Sequence, residues 1–291
     1  MGDWNTLLVE QEGPILWVRI NRPEVMNAYT NEMGAELVRA FGMADSDDSI
    51  GVVVLTATGR VFCAGADVSA GAGAFDTQSG EGAKNFGARA DGTRADSNFI
   101  KAMMNCRKPS LVAFNGSAAG VGLTLTLPCD IRIAADTARF GCVFTRRGLV
   151  PEAGSAWFLP RLVGLATALK WCMTGALVPA DEALAAGLVT ETVPADQVEA
   201  RARELALEIG GNCSPVALAL TRRMLWHFSG EAGPQGALSV DAALNIALGA
   251  KGDVHEGVAA FLEKRSPAFP LKVSADMPAT PWWPDDPTGG Y

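Results

Sequence analysis

Histidine is nearly missing from this chain of 291 residues: His227 and His255 are the two it has. That is too few for a histidine-based metal cluster. The six cysteines stand at 63, 106, 129, 142, 172 and 213. They form no C-x-x-C pair and match no zinc spacing. A chain of this size buries a core without disulfide staples, so they read as small, reduced core residues. Charge is also scarce, at 19% of residues, and 24 Lys and Arg against 32 Asp and Glu leave a net charge of -8. A general nucleic-acid binder needs a basic footprint, and this balance argues against one. No basic and apolar leader opens the sequence, which points to a cytoplasmic protein. The long uncharged run Ser110 to Cys129 is broken by Asn115, Ser117, glycines, threonines and Pro128. A bilayer would penalise that mixture, so no membrane span is expected. A Ser/His/Asp constellation is not visible, and no metal or separate cofactor is expected.

What the sequence has in quantity is small and apolar residues, with 32 glycines and 48% hydrophobic content. Runs at Leu7–Glu10 and Ile15–Ile20 read as strands around a Gly13-Pro14 break. Thr30 reads as the N-cap of a helix carrying Met33, Leu37, Val38 and Phe41 on one face. Val52-Val53-Val54-Leu55 suits a strand buried on both faces. Further strands are expected at Leu111–Phe114 and Ile131–Ala135. A helix over about 97–107 stops at Lys108-Pro109, and another starts near Gly120 and stops at Pro128. From Glu152 onward the pattern reads as mostly helical. Residues 69–97 are a Gly/Ala/Ser/Asp-rich stretch of weak periodicity, a length that compact domains reserve for function. The last 26 residues hold six prolines with Trp282 and Trp283, an extended tail. The division expected is 1–200 as a strand/helix core, 201–268 as a helical region and 269–291 as the tail.

Three segments can carry chemistry. Ala64-Gly65-Ala66-Asp67 lets a backbone approach a ligand closely, or simply makes a tight turn. Asn115-Gly116-Ser117-Ala118-Ala119-Gly120-Val121-Gly122 follows a strand and opens a helix, so its free amides suit an anion or its small residues suit close packing. It lacks the Gly-Lys-Ser/Thr of a phosphate loop. In Arg147-Gly148-Leu149-Val150-Pro151-Glu152, the glutamate is either a first-turn capping acid or an acid/base beside a pocket. Arg146-Arg147 reads as a structural basic pair.

Taken in this order, these segments resemble the crotonase superfamily, the enoyl-CoA hydratase/isomerase family, over about residues 7–270. Asn21-Arg22-Pro23-Glu24-Val25-Met26-Asn27-Ala28 resembles the family's first substrate loop. Phe62 to Asp67 resembles its first oxyanion segment. Asn115 to Gly122, followed by Pro128 to Ala134, resembles its second, and Phe261-Leu262-Glu263-Lys264-Arg265 resembles its closing helix.

The resemblance implies an α/β spiral of β-β-α turns, a helical region that packs between subunits, and a homotrimer or a hexamer of two trimers. It implies an acyl-CoA thioester as substrate. The oxyanion-hole amides would be those of Ala66 and Val121, and substrate or CoA contacts would come from Arg22, Val25, Ala28, Ala64, Asp67, Val68, Gly120, Phe144, Phe261 and Lys264. Lys264 and Arg265 are further implied as phosphate contacts that can come from a neighbouring subunit. The two glutamates that family hydratases set around a water are matched here by Thr124 and Phe144, neither of which is acidic. Glu152 matches the acid of family isomerases. The implied reaction is Δ3,Δ2-enoyl-CoA isomerisation, with enoyl-CoA hydration by Glu152 alone and a non-catalytic acyl-CoA-binding scaffold as the rivals.

Overall fold

The computed structural model describes residues 3–69, 71–76 and 97–280. Two strands open the chain, β1 (Leu7–Glu12) and β2 (Ile15–Ile20), paired antiparallel across a turn at Gly13. Helix α1 (Asn31–Ser46) follows, and the Thr30 hydroxyl accepts from the Met33 amide as its N-cap. Its core side buries Met33, Leu37, Ala40, Phe41 and Ala44, the spacing of an amphipathic helix. Val38, expected on that side, lies at its half-buried edge.

Strand β3 (Val52–Ala57) is buried at every position, as its unbroken apolar run requires. After it come helix α2 (Ser97–Asn105), β4 (Ser110–Phe114), the short β5 (Ala118–Ala119), the one-turn helix α3 (Val121–Thr124), β6 (Ile131–Ala135) and β7 (Arg139–Gly141). Then follow α4 (Ser155–Val163), α5 (Leu165–Thr174), β8 (Leu177–Pro179), α6 (Ala180–Ala185) and β9 (Glu191–Val193). Four helices close the described chain: α7 (Val198–Asn212), α8 (Pro215–Phe228), α9 (Gln235–Gly249) and α10 (Gly252–Glu263).

A six-stranded sheet runs in the order β1-β2-β3-β4-β6-β9, parallel from β2 onward, and a three-stranded sheet runs β5-β7-β8. The stretch after Glu152 is thus not purely helical. Strands β8 and β9 are three residues each, too short to show alternation, and the partners that hold them, β7 and β6, lie far back in sequence.

The main apolar core extends from Leu7 to Ala206, so the buried face of α7, with Val198, Ala202 and Ala206, belongs to it. Val216, Leu220 and Leu244 form a second, small core under α8 and α9. Asp130, at the head of β6, ties the two together. Its carboxylate accepts from Arg222 Nε at 2.8 Å, from Trp226 Nε1 at 2.8 Å and from the Ser110 amide at 2.8 Å.

The first part of the proline-rich tail docks on its own chain. Val273 is buried, Leu271 packs on the small core, and Ser274 hydrogen-bonds Asp48 near the end of α1. Trp282 and Trp283 lie outside the described residues. No helix among the described residues is long and apolar enough to cross a membrane.

Candidate active site

A cavity of about 660 Å³ opens where the segments following β2, β3 and β4 meet the stretch 143–152. The segment after β2 is pinned first. Asn27, at φ 56°, turns its side chain inward, where Oδ1 accepts from the Arg22 amide at 2.7 Å and Nδ2 donates to the Thr58 and Val61 carbonyls at 2.8 Å. Val25, Met26, Ala28 and Tyr29 then line the cavity.

The segment after β3 runs between that loop and β5. The Tyr29 amide donates to the Gly65 carbonyl at 2.8 Å, and the Asp67 amide donates to the Tyr29 carbonyl at 2.9 Å. Successive amides of an extended chain point to opposite sides. The Ala66 N–H between those two bonds therefore points away from Tyr29, and no backbone carbonyl among the described residues accepts it.

The segment after β4 presents a second amide. The Gly120 amide donates to the Gly141 carbonyl at 2.9 Å, while its own carbonyl accepts from Leu123 and Thr124. The first amides of any helix lack an intrahelical acceptor. Val121, the first residue of α3, is such a case, with no carbonyl acceptor among the described residues. With four residues, α3 contributes little macrodipole, so an anion placed here would meet the local amide and not a helix dipole.

Two glycines set the spacing between these segments. Gly120 sits at φ 53°, ψ -131°, a conformation that side chains disfavour. A Cβ on Gly122 would stand 2.5 Å from the Cys63 carbonyl oxygen, so only glycine allows α3 to lie against the 62–67 segment.

Glu152 lines the same cavity and does not cap a helix. It stands before α4, followed by Ala153 at φ 53° and Gly154 at φ 69°. A left-handed alanine is an uncommon, strained placement. That turn sets the glutamate on the cavity side, and Thr124 Oγ1 donates to Glu152 Oε1 at 2.5 Å. The bland reading of Glu152 as a first-turn capping acid is therefore replaced by a cavity carboxylate held by a threonine.

The other cavity carboxylate, Asp67, is fully engaged. Arg22 Nη2 reaches its Oδ2 at 3.0 Å, and the Ser69 amide donates to its Oδ1 at 3.0 Å. Burial alone would raise its pKa, but the Ser69 donors and the Arg22 guanidinium outweigh burial and hold it below the usual carboxylate range. Phe75, Val68, Val143, Phe144, Leu149 and Val150 supply apolar wall.

Of the residues singled out in the sequence, Val25, Ala28, Ala64, Ala66, Asp67, Val68, Gly120, Val121, Phe144 and Glu152 all border this one cavity. Arg22 does not. Its guanidinium is turned onto Asp67 and the Ala28 carbonyl, where it braces the loop beside the cavity. Phe261 and Lys264 also fall away from the cavity of their own chain. They sit at the outer end of α10, where Phe261 is 82% exposed and Lys264 is the left-handed C-cap. Arg265 is committed to Glu256 and Glu263.

Met26, Tyr29, Gly65, Ser69, Phe75, Val143, Arg147, Leu149 and Val150 border the cavity as well. Arg147, read from sequence as structural, is the main addition. Its partner Arg146 does play that part, donating to the Thr174 carbonyl at 2.7 Å. Of the 69–97 stretch expected to wall the acyl pocket, Ser69 and Phe75 do so. Residues 70 and 77–96 lie outside the described residues.

The family model described as enoyl-CoA hydratase/isomerase matches residues 10–272. An enoyl-CoA hydratase of Alternaria alternata, ACTT3, is 39% identical over 272 residues, spanning 91% of this chain and 87% of that protein. The 1,2-epoxyphenylacetyl-CoA isomerase of Escherichia coli K12 is 31% identical over 264 residues, spanning 90% and 97%. The crystal structure of an enoyl-CoA hydratase from Bacillus anthracis superposes with a TM-score of 0.81 at 28% identity, covering 91% of this chain and 99% of that one. With its model matched along most of the length and the same scaffold in solved relatives, the chain belongs to the enoyl-CoA hydratase/isomerase family and has the crotonase-like fold.

Proposed function

We propose that this enzyme moves the double bond of a 3-enoyl-CoA thioester to the 2 position, with Glu152 as its acid and base. The thioester oxygen would accept from the Ala66 and Val121 amides. Glu152 takes a proton from C2, and the electron pair spreads through C1 to the oxygen and through C3 to C4. The same carboxylic acid then returns the proton at C4, leaving the double bond between C2 and C3. Two preset N–H donors stabilise the charge where it develops, and removing one such donor typically costs about 10²–10³ in rate.

The observation that carries this reading is the set of groups around the carboxylate. Glu152 bonds Thr124, and Phe144 lines the cavity nearby. Those are the two positions that would hold the glutamates of a two-carboxylate hydration. Asp67, tied to Arg22 and Ser69, is a poor base. One mobile proton at one carboxylate suffices for isomerisation, whereas hydration needs a water activated inside an apolar wall. As part of the same proposal, the enzyme works as a trimer or a pair of trimers, supported by the exposed apolar row of Leu165, Leu169 and Met173 on α5.

The test supplies 3-hexenoyl-CoA and 2-hexenoyl-CoA to the purified protein and to its Glu152→Gln variant. Turnover of the 3-enoyl form that drops by about 10²–10⁴ in the variant supports the proposal. Hydration of the 2-enoyl form without any double-bond shift overturns it in favour of a hydratase. Binding with no turnover of either points to a scaffold.

A further inference from the structure

The cavity holds three charged side chains, and two of them are already satisfied. Asp67 is ion-paired with Arg22 at 3.0 Å, and Glu152 accepts from Thr124 at 2.5 Å. The third, Arg147, donates from Nη1 to the Val143 carbonyl at 3.3 Å, a long bond to a neutral acceptor. No carboxylate among the described residues pairs with it. The other guanidinium donors are left for solvent or for a ligand, inside a chain of net charge -8 where acids are plentiful.

The place of Arg147 says which part of a ligand it meets. It sits in the short stretch that carries Val143, Phe144, Leu149, Val150 and Glu152 on the cavity wall. If the thioester oxygen lies on the Ala66 and Val121 amides, the acid/base must face C2 to C4. The wall that bears Glu152 therefore faces the acyl chain, not the pantetheine side of the sulfur. Around Arg147 that wall is apolar. A guanidinium at the edge of such a wall recognises a planar anion with two oxygens.

We propose that Arg147 is a specificity-determining residue that selects acyl-CoA substrates whose acyl chain ends in a carboxylate. The methylenes would lie along Phe144, Val143, Leu149 and Val150, with the terminal carboxylate on the Arg147 fork. This rests on the orientation adopted in the proposed isomerisation, but it is tested by binding alone.

The experiment measures affinity by calorimetry for saturated pairs that cannot react: adipoyl-CoA against hexanoyl-CoA, and suberoyl-CoA against octanoyl-CoA. CoA itself is the control. The unaltered protein is expected to favour the diacid member of at least one pair by about tenfold or more, the worth of a charge-assisted bond. Arg147→Met should erase that preference, and Arg147→Lys should keep part of it. No preference in either pair overturns the proposal. Equal weakening of all five ligands in Arg147→Met also overturns it, since that places the guanidinium on a CoA phosphate. Because no turnover is read, a failed isomerase assay leaves this result interpretable, and a failed preference leaves the isomerase assay standing.

Discussion

Thr124 Oγ1 lies 2.5 Å from Glu152 Oε1 and donates to it. Thr124 is fully buried on the one-turn helix α3, three residues after the Val121 amide. The carboxylate proposed to move the proton is thus indexed to the turn proposed to hold the thioester oxygen by one hydroxyl. Thr124→Val removes the donor at nearly constant volume. It is expected to lower kcat about tenfold, the worth of a hydrogen bond to a charged group, with a smaller change in KM. Thr124→Ser should restore most of the loss. Steady-state kinetics on 3-hexenoyl-CoA separates this positioning role from a packing defect, which the serine variant would not rescue.

Gly122 faces the Cys63 carbonyl oxygen across a gap that leaves a Cβ only 2.5 Å. Gly122→Ala must push α3 away from the 62–67 segment and carry the Val121 amide with it. A loss of about 10²–10³ in kcat is expected from the misplaced donor. A stability loss of about 1–3 kcal/mol should accompany it from overpacking. Urea titration beside turnover checks both, and normal kcat in the folded variant would show that the amide pair does not act.

The Asp67 carboxylate ties the loop after β2 to the segment after β3 through Arg22. Its pKa is depressed, so this tie is present above the ordinary carboxylate value and is lost as pH falls through the lower, folded value. KM for acyl-CoA should therefore stay level through the ordinary carboxylate range and rise only as pH falls through the lower value of the folded Asp67. Asp67→Asn cannot ionise and should show a raised KM that no longer follows pH in that window. Arg22→Met should raise KM roughly tenfold at neutral pH. A KM in Asp67→Asn that still climbs on acidification would assign the effect to another group.

Leu165, Leu169 and Met173 recur every four residues on α5 and are 64%, 44% and 70% exposed. Such a row on the outside of a folded chain marks a contact surface. Met173→Asp is expected to shift the mass seen by light scattering from a multiple of the chain toward a single chain. An unaltered protein that is already monomeric at micromolar concentration would remove the basis for the trimer.

Much of this was legible in the residues, and for identifiable reasons. The strand Ile15–Ile20 and the cap at Thr30 depend on local patterning. The cavity positions Ala66, Gly120 and Val121 depend on backbone approach, which leaves glycines and alanines as its trace. Strands β8 and β9 left no such trace, because tertiary pairing alone makes three residues extended. Arg147 was legible as half of a basic pair near the site, but its place on the cavity wall was not. An arginine in a short loop reads as solvated unless the fold shows which of its neighbours turn toward a cavity. Phe261 and Lys264 were carried by similarity of motif onto a helix end that does not border the cavity of its own chain.

The bridge of Tyr29 to Ala66 and that of Cys63 to Ala118 join parts of the chain that are far apart in sequence. On the proposed reading, what they deliver to the thioester is a main-chain N–H, which every residue except proline possesses. A saturation library across the site should then divide sharply. Positions 66 and 121 should accept many side chains, while their silent neighbours 120 and 122 should accept almost none. Selection acting on this enzyme would leave its mark beside the reacting atoms more strongly than upon them. Changes of substrate would accumulate in stretches such as 143–152, where side chains line the cavity.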